Sequence, residues 1–240
     1  MKDLLDVHMH TLASGHAYNT IREMIAAGSK KGLALVGIAD HAPAMPGSTH
    51  RFYFENLRIF DRKVYGDEAG VELLMGVELN ILNTTGKVDL EEKGLRSVDY
   101  AIASLHDPCI NPGTALDNTT AIMRAMWIPQ VKIIGHPDNP VFPVDFDQIA
   151  KAAAERHVLL ECNNSSYRPG GSRTGSRDLA KKMLQACKKY GTHVIMGSDA
   201  HIDLDVGNHA LSEEVIREAD FPEELVINSS PEKFKEWIRA

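Results

Sequence analysis

Leu4-Leu5-Asp6-Val7-His8-Met9-His10 is a short, mostly apolar run that ends in two histidines one residue apart. The same pattern recurs along the chain. Apolar, β-branched-rich runs lie at 4–8, 35–39, 72–78, 100–104, 131–135, 158–161 and 193–197. Asp40-His41 closes the second run, Glu78 the third, and His106 follows the fourth. His136 follows the fifth and Asp199-Ala200-His201 the seventh. The sixth ends in Glu161-Cys162-Asn163-Asn164, which is polar without being an evident ligand set.

Helical patterns fill the gaps at 20–31, 54–68, 119–126, 146–156 and 176–190, and a last helix at 231–239 follows a short apolar piece at 225–227. Ser176 and Ser230-Pro231 read as helix starts, and Gly32 and Gly191 as stops. Short apolar runs alternating with helices indicate an α/β fold with a parallel sheet. Seven such units without a Gly/Ser/Pro-rich linker predict one domain over 1–240, more a closed (β/α)7 TIM-like barrel than an open sheet. Periodicity does not fix strand order, so the open, doubly wound sheet stays an alternative.

In a parallel barrel the C-terminal ends of all strands open onto one face, so residues distant in sequence converge there. Seven of the eleven histidines occupy such positions, which is organisation rather than scatter. Side chains alternate along a strand, so His8 and His10 point to one side and can grip one ion, as can Asp199 and His201. Neutral imidazole combined with carboxylate suits zinc, iron or manganese, whereas calcium and magnesium prefer all-oxygen shells. His16, in the loop after the first run, is a weaker candidate on spacing alone. His50, His157, His193 and His209 read as loop, helix-end or strand-start histidines outside the site. The segment 168–177 carries Arg168, Arg173 and Arg177 among glycines and serines. Arg173 and Ser172, just before a helix start, are candidates for holding an anion.

Composition narrows the function. A net charge of −7 argues against a general nucleic-acid surface. Apolar content of 43% and charged content of 25% are those of an ordinary globular protein. No apolar run approaches the roughly 18 residues that span a membrane, and the start of the chain does not read as a signal peptide. Cys109, Cys162 and Cys187 lie far apart, so neither a disulfide scaffold nor a thiolate zinc site is expected, and the cytoplasm is the plain location.

Val7-His8-Met9-His10-Thr11, Asp40-His41, Glu78, His106, Gly135-His136-Pro137 and Gly197-Ser198-Asp199-Ala200-His201 together resemble the PHP (polymerase and histidinol phosphatase) superfamily, in particular its stand-alone YcdX-like phosphatases. Ser14-Gly15-His16-Ala17-Tyr18 and Ser172-Arg173-Thr174-Gly175-Ser176 extend the likeness over nearly the whole chain. The resemblance implies a distorted seven-stranded barrel holding three divalent ions, usually zinc. One ion would take His8, His10, Glu78 and Asp199; a second would take Glu78, His106 and His136; a third would take His16, His41 and His201. It also implies a homotrimer. Cys162 and Asp138 differ from the pattern of these relatives, which bears on pocket shape rather than on metal binding.

The expected chemistry is hydrolysis of phosphate monoesters of small soluble substrates. Two ions bridged by Glu78 would share a water and lower its pKa from about 15.7 towards neutrality, giving a bridging hydroxide. Arg173 would help neutralise the phosphoryl oxygens, and a metal-bound water, Asp199 or His201 would protonate the leaving alkoxide. Three rivals remain from the sequence: an amidohydrolase-type barrel cleaving C–N or C–O bonds, a non-enzymatic metal-binding protein, and polymerase-style nucleic-acid processing, against which the short acidic chain favours a small soluble substrate. No lysine ends the fourth run to offer a carboxylated bridge for the first rival. The mixed ligands from many strands fit the second poorly.

Overall fold

The computed structural model describes residues 2–240. Among the described residues, eight strands run parallel in two sheets, β1-β2-β3 and β4-β5-β6-β7-β8. The first holds β1 (Leu5–Asp6), β2 (Leu35–Ile38) and β3 (Glu72–Met75). The second holds β4 (Val77–Asn80), β5 (Ala101–Ser104), β6 (Val131–Ile134), β7 (Leu159–Asn163) and β8 (Val194–Gly197). The parallel α/β reading of the sequence holds. The expected continuous seven-stranded ring of strands does not, because two seams interrupt the ladder. Single bridges span them, His41 to Glu78 at one and Met9 to Ala200 at the other.

The run 72–78 is therefore two strands rather than one, divided at Gly76. A Cβ on Gly76 would lie 2.5 Å from Tyr100 Cζ, and one on Gly37 would lie 2.3 Å from the Tyr100 hydroxyl. Both glycines leave room for that fully buried ring, whose hydroxyl donates to the Val7 carbonyl at 2.6 Å.

Helices α1 (Ile21–Lys31), α5 (Ala115–Ala125), α6 (Phe146–Arg156), α7 (Ser176–Tyr190) and α9 (Pro231–Arg239) lie in or near the expected spans. The expected helix over 54–68 is instead α2 (Arg51–Asn56), a 3-10 turn, and α3 (Arg62–Ala69). Phe60 is extended there, and the Asp61 side chain caps α3 by accepting from the Val64 N–H. Short α4 (Glu92–Leu95) and α8 (Ala210–Glu218) were not expected from the sequence. Ser230 caps α9, and Gly32 and Gly191 end α1 and α7 in the left-handed conformation. Ser176 does not cap α7: it is the first helical residue, and Gly175 at φ 103° stands before it.

Apolar side chains form two layers. Met24, Ile25, Val36, Ile38 and Phe54 belong to the layer between strands and helices. Leu5, Leu35, Tyr100, Ile133, Leu159 and Ile195 form a separate inner cluster, packed against Phe234 of α9. Each such burial contributes about 1.5–3 kcal/mol. With a period of two, the same side of a strand then turns polar: Leu159 gives way to Glu161 and Asn163, and Ile102 to Ser104. These buried polar positions surround the site.

Candidate metal centre

Glu78, on β4, is 1% exposed and sits among five histidines. Its Oε1 lies 3.1 Å from His136 Nε2, 3.3 Å from His106 Nε2 and 3.4 Å from His8 Nε2. Its Oε2 lies 2.8 Å from His41 Nδ1 and 3.6 Å from His10 Nε2. Asp199 Oδ1 lies 3.3 Å from His10 Nε2 and 3.8 Å from His8 Nε2. His16 and His201 complete the cluster by ring contact, their centroids 4.8 Å apart, with His16 5.0 Å from His41. All nine candidate ligands are thus brought together.

The far side of four of these rings is held by the protein. His8 Nδ1 faces Glu161 Oε1 at 2.6 Å, and His106 Nδ1 faces Asn80 Oδ1 at 2.7 Å. His10 Nδ1 lies 3.0 Å from Ser14 Oγ, and Ser14 in turn donates to Asp40 Oδ1 at 2.8 Å. His201 Nδ1 donates to the Asp199 carbonyl at 3.0 Å. Acceptors on Nδ1 place the proton there and leave the Nε2 lone pair free to face the cluster. Asp40 also accepts from the Thr11 N–H, the Thr11 hydroxyl and Tyr53, so it buttresses the loop rather than joining the ligands.

Two ligands leave their strands through strained backbone, His136 at φ 32° and Asp199 at φ 53°. Neighbouring glycines supply the space. A Cβ on Gly135 would lie 2.2 Å from Ser104 Oγ, and one on Gly197 would lie 2.1 Å from Glu161 Oε1.

The electrostatics favour a cation. Burial raises the Glu78 carboxyl, but His106, His41 and His8 outweigh it and hold it well below its ordinary range. Burial likewise works against an ionised Asp199, and His8, His10 and Arg173 hold it low. Burial lowers His136 to about 4 and pushes His10 well down, so both rings are neutral and able to coordinate. His8 goes the other way: Glu161, Glu78 and Asp199 overcome burial and call for positive charge on its ring.

Five buried atoms at this centre make no hydrogen bond: His8 Nε2, His10 Nε2, His41 Nδ1, His106 Nε2 and Glu78 Oε2. The short approach of His41 to Glu78 lacks hydrogen-bond geometry. Orphaned buried polar atoms are costly, and five converging on one point fit a metal cluster. Among the described residues, three trios have donor atoms within 4.8 Å of one another: His8, His10 and Glu78; His10, His41 and His201; and His41, Glu78 and His106. The first matches part of the expected ligand grouping. In the other two, His10 and His41 lie closer to neighbouring groups than that grouping assigns them.

Arg173 turns into the cluster, its Nη1 donating to Asp199 Oδ2 at 3.1 Å, Ser166 Oγ at 3.1 Å and Asn163 Oδ1 at 3.4 Å. Ser172 stands exposed, outside this hydrogen-bonded set. Arg168 pairs instead with Asp205 at 2.8 Å, and Arg177 with Glu214 and Glu218. His50 caps α2, His157 ends α6 and stacks on Trp237, and His193 lies near the same indole. His209 lies in the loop before α8 but is buried: it is 2% exposed and pairs with Asp3 and Asp6. Sequence reasoning passed over Glu161, Ser14, Asn80 and Asn163. Their only signal was a polar residue on an otherwise apolar strand, or beside a ligand.

A model of the PHP domain matches residues 6–166. A "Probable phosphatase" of Clostridium acetobutylicum is 44% identical over 240 residues, covering 100% of this chain and 96% of that protein. Another, of Caldicellulosiruptor saccharolyticus, is 43% identical over 235 residues, covering 98% and 95%. The histidinol phosphate phosphatase of Lactococcus lactis, solved with zinc, L-histidinol and phosphate, superposes with a TM-score of 0.63 at 16% identity, covering 92% of this chain and 95% of that one. The chain belongs to the PHP family, and it is an enzyme of the class that hydrolyses phosphoric esters.

Proposed function

We propose that the protein hydrolyses phosphate monoesters of small soluble substrates at a centre of three divalent ions, zinc in the first instance, with manganese or iron as substitutes. The ligands are His8, His10, His16, His41, Glu78, His106, His136, Asp199 and His201, with Glu78 as the shared carboxylate. The observation that carries this reading is the set of five buried donor atoms without hydrogen bonds, all turned towards the middle of the site. The ions, when bound, activate water and neutralise phosphoryl charge.

The chain's own residues do the rest. Asn163 and Ser166 hold the Arg173 guanidinium against Asp199, so it is aimed before a phosphoryl group arrives. Ser172, beside it on the exposed rim, completes the proposed anion contact. In this reading a water at the centre, Asp199 or His201 returns a proton to the leaving oxygen; Asp199, ionised at rest, does so only after taking that proton from the attacking water. The two sheets act as halves of one distorted barrel domain over 1–240, a reading supported by the two single bridges. A cytoplasmic homotrimer belongs to the same proposal.

The test combines metal removal with a substrate panel. Dialysis against a chelator should abolish hydrolysis of p-nitrophenyl phosphate and L-histidinol phosphate, and zinc or manganese should restore it. Amides and lactones should stay intact throughout. Full activity in the chelated protein, or in Glu78→Ala, would sink the proposal, and cleavage of amides or lactones alone would favour the amidohydrolase reading.

A further inference from the structure

β1 and β8 carry His8 and Asp199 into the centre from two different sheets, yet they share no ladder. Backbone bonds join them only at the ligand level, from Asp199 N–H to the His8 carbonyl at 2.8 Å and from His10 N–H to the Ala200 carbonyl at 2.8 Å. Side chains splice the gap below. Asn228 accepts from the Met196 N–H at 2.8 Å and donates to the carbonyls of Met196 at 3.0 Å and Leu5 at 3.1 Å. Nearer the site, Asp6 takes over. Its Oδ1 accepts from the His8 N–H at 3.3 Å and the Ser198 N–H at 3.2 Å, and its Oδ2 accepts from the Gly207 N–H at 2.9 Å.

Asp6 is 0% exposed, and a buried carboxylate is tolerated only when it is paired. His209 supplies the pairing, its Nε2 3.5 Å from Asp6 Oδ1 and its Nδ1 2.7 Å from Asp3 Oδ2. We propose that Asp6, backed by His209, is a positioning residue that fixes the spacing of His8 and Asp199 and so the affinity of the ion they share. The inference rests on the metal-centre reading above. Its physical basis is that Asp6 grips the backbone of His8 itself and of Ser198, the residue before Asp199. Asp199 holds a left-handed backbone at φ 53°, a conformation that persists only where its neighbours are pinned. Asn228 makes a similar splice one level further from the ligands, and it serves as the comparison.

The experiment measures Asp6→Asn, His209→Gln and Asn228→Ala against wild type. Zinc stoichiometry and affinity are read by competition with a chromophoric chelator, and kcat and KM for p-nitrophenyl phosphate at graded zinc, alongside melting temperature. Asp6→Asn and His209→Gln are expected to weaken one zinc by about 10–100-fold, the usual cost of losing a group that orients a ligand. Their kcat falls at limiting zinc and recovers in excess zinc, with KM unchanged. Asn228→Ala is expected to melt earlier at unchanged zinc affinity. If Asp6→Asn fails to fold, His209→Gln carries the test, because it leaves the carboxylate in the chain and removes only the paired charge that holds it buried against the two backbones. Wild-type zinc affinity and unchanged kcat at limiting zinc in His209→Gln, and in Asp6→Asn wherever it folds, overturn the inference, whatever their melting points. A wild type that binds no zinc overturns the metal reading itself, and the positioning role with it.

Discussion

Consider His209→Gln and its dependence on pH. Burial disfavours a charged imidazole at this position, but Asp6 and Asp3 outweigh it and raise the ring from 6.5 to about 10. A group raised in the folded state gives its full stabilisation below its unfolded value and loses it as pH rises through the folded one. At about 1.4 kcal/mol per unit, the ceiling is about 5 kcal/mol near pH 6, about 4 kcal/mol at pH 7 and about 1 kcal/mol at pH 9. Glutamine does not titrate, so wild type minus variant reports the His209 charge together with its hold on the Asp6 carboxyl, and the figures above are upper bounds. The assay is urea denaturation of metal-stripped protein followed by circular dichroism at intervals across that range. Stripping removes the contribution of bound ligand to stability. The stability difference should shrink by roughly 3–4 kcal/mol between about pH 6 and pH 9. A difference that stays flat would show that the ring is not a cation in the fold, and the reasoning would fail.

Three further outcomes follow from the centre itself. Gly197→Ala puts a Cβ 2.1 Å from Glu161 Oε1 and 3.0 Å from His8 Cβ, so it should destabilise by about 1–3 kcal/mol and loosen zinc. An unchanged melting temperature and zinc affinity would contradict the packing. Arg173→Lys swaps a planar fork for a point charge beside Asp199, Ser166 and Asn163, and should lower kcat/KM for phosphate esters by about 10–100-fold. Kinetics equal to wild type would remove Arg173 from the site. His16→Ala takes away a ring stacked against His41 and His201, and elemental analysis should find one ion fewer per chain. Full metal content would exclude His16 as a ligand.

Much of the site was legible before any coordinates, because metal ligands at strand ends leave a local signature. His8 and His10 follow the first apolar run, and Asp199 and His201 the seventh, and a period of two places each pair together. The parallel α/β class was legible for the same reason: alternating short apolar runs and amphipathic stretches bury well in only a few arrangements. Other features were set by contacts between residues far apart in the chain. Gly76 divides a run that reads as one strand, and only the ring of Tyr100, 24 positions on, explains the break. His209 reads as a loop histidine until the fold sets it between Asp3 and Asp6, some 200 residues away. Glu161, in a stretch that shows no ligand pattern, becomes the partner of His8 because β7 lies beside β8, whose end bridges to the segment after β1. The sequence by itself determined which residues could coordinate and which elements carry them, since both are encoded by neighbours a few positions apart. Only the tertiary structure decided that Glu161 holds His8 and Asn80 holds His106, because those bonds close across strands that the sequence keeps far apart.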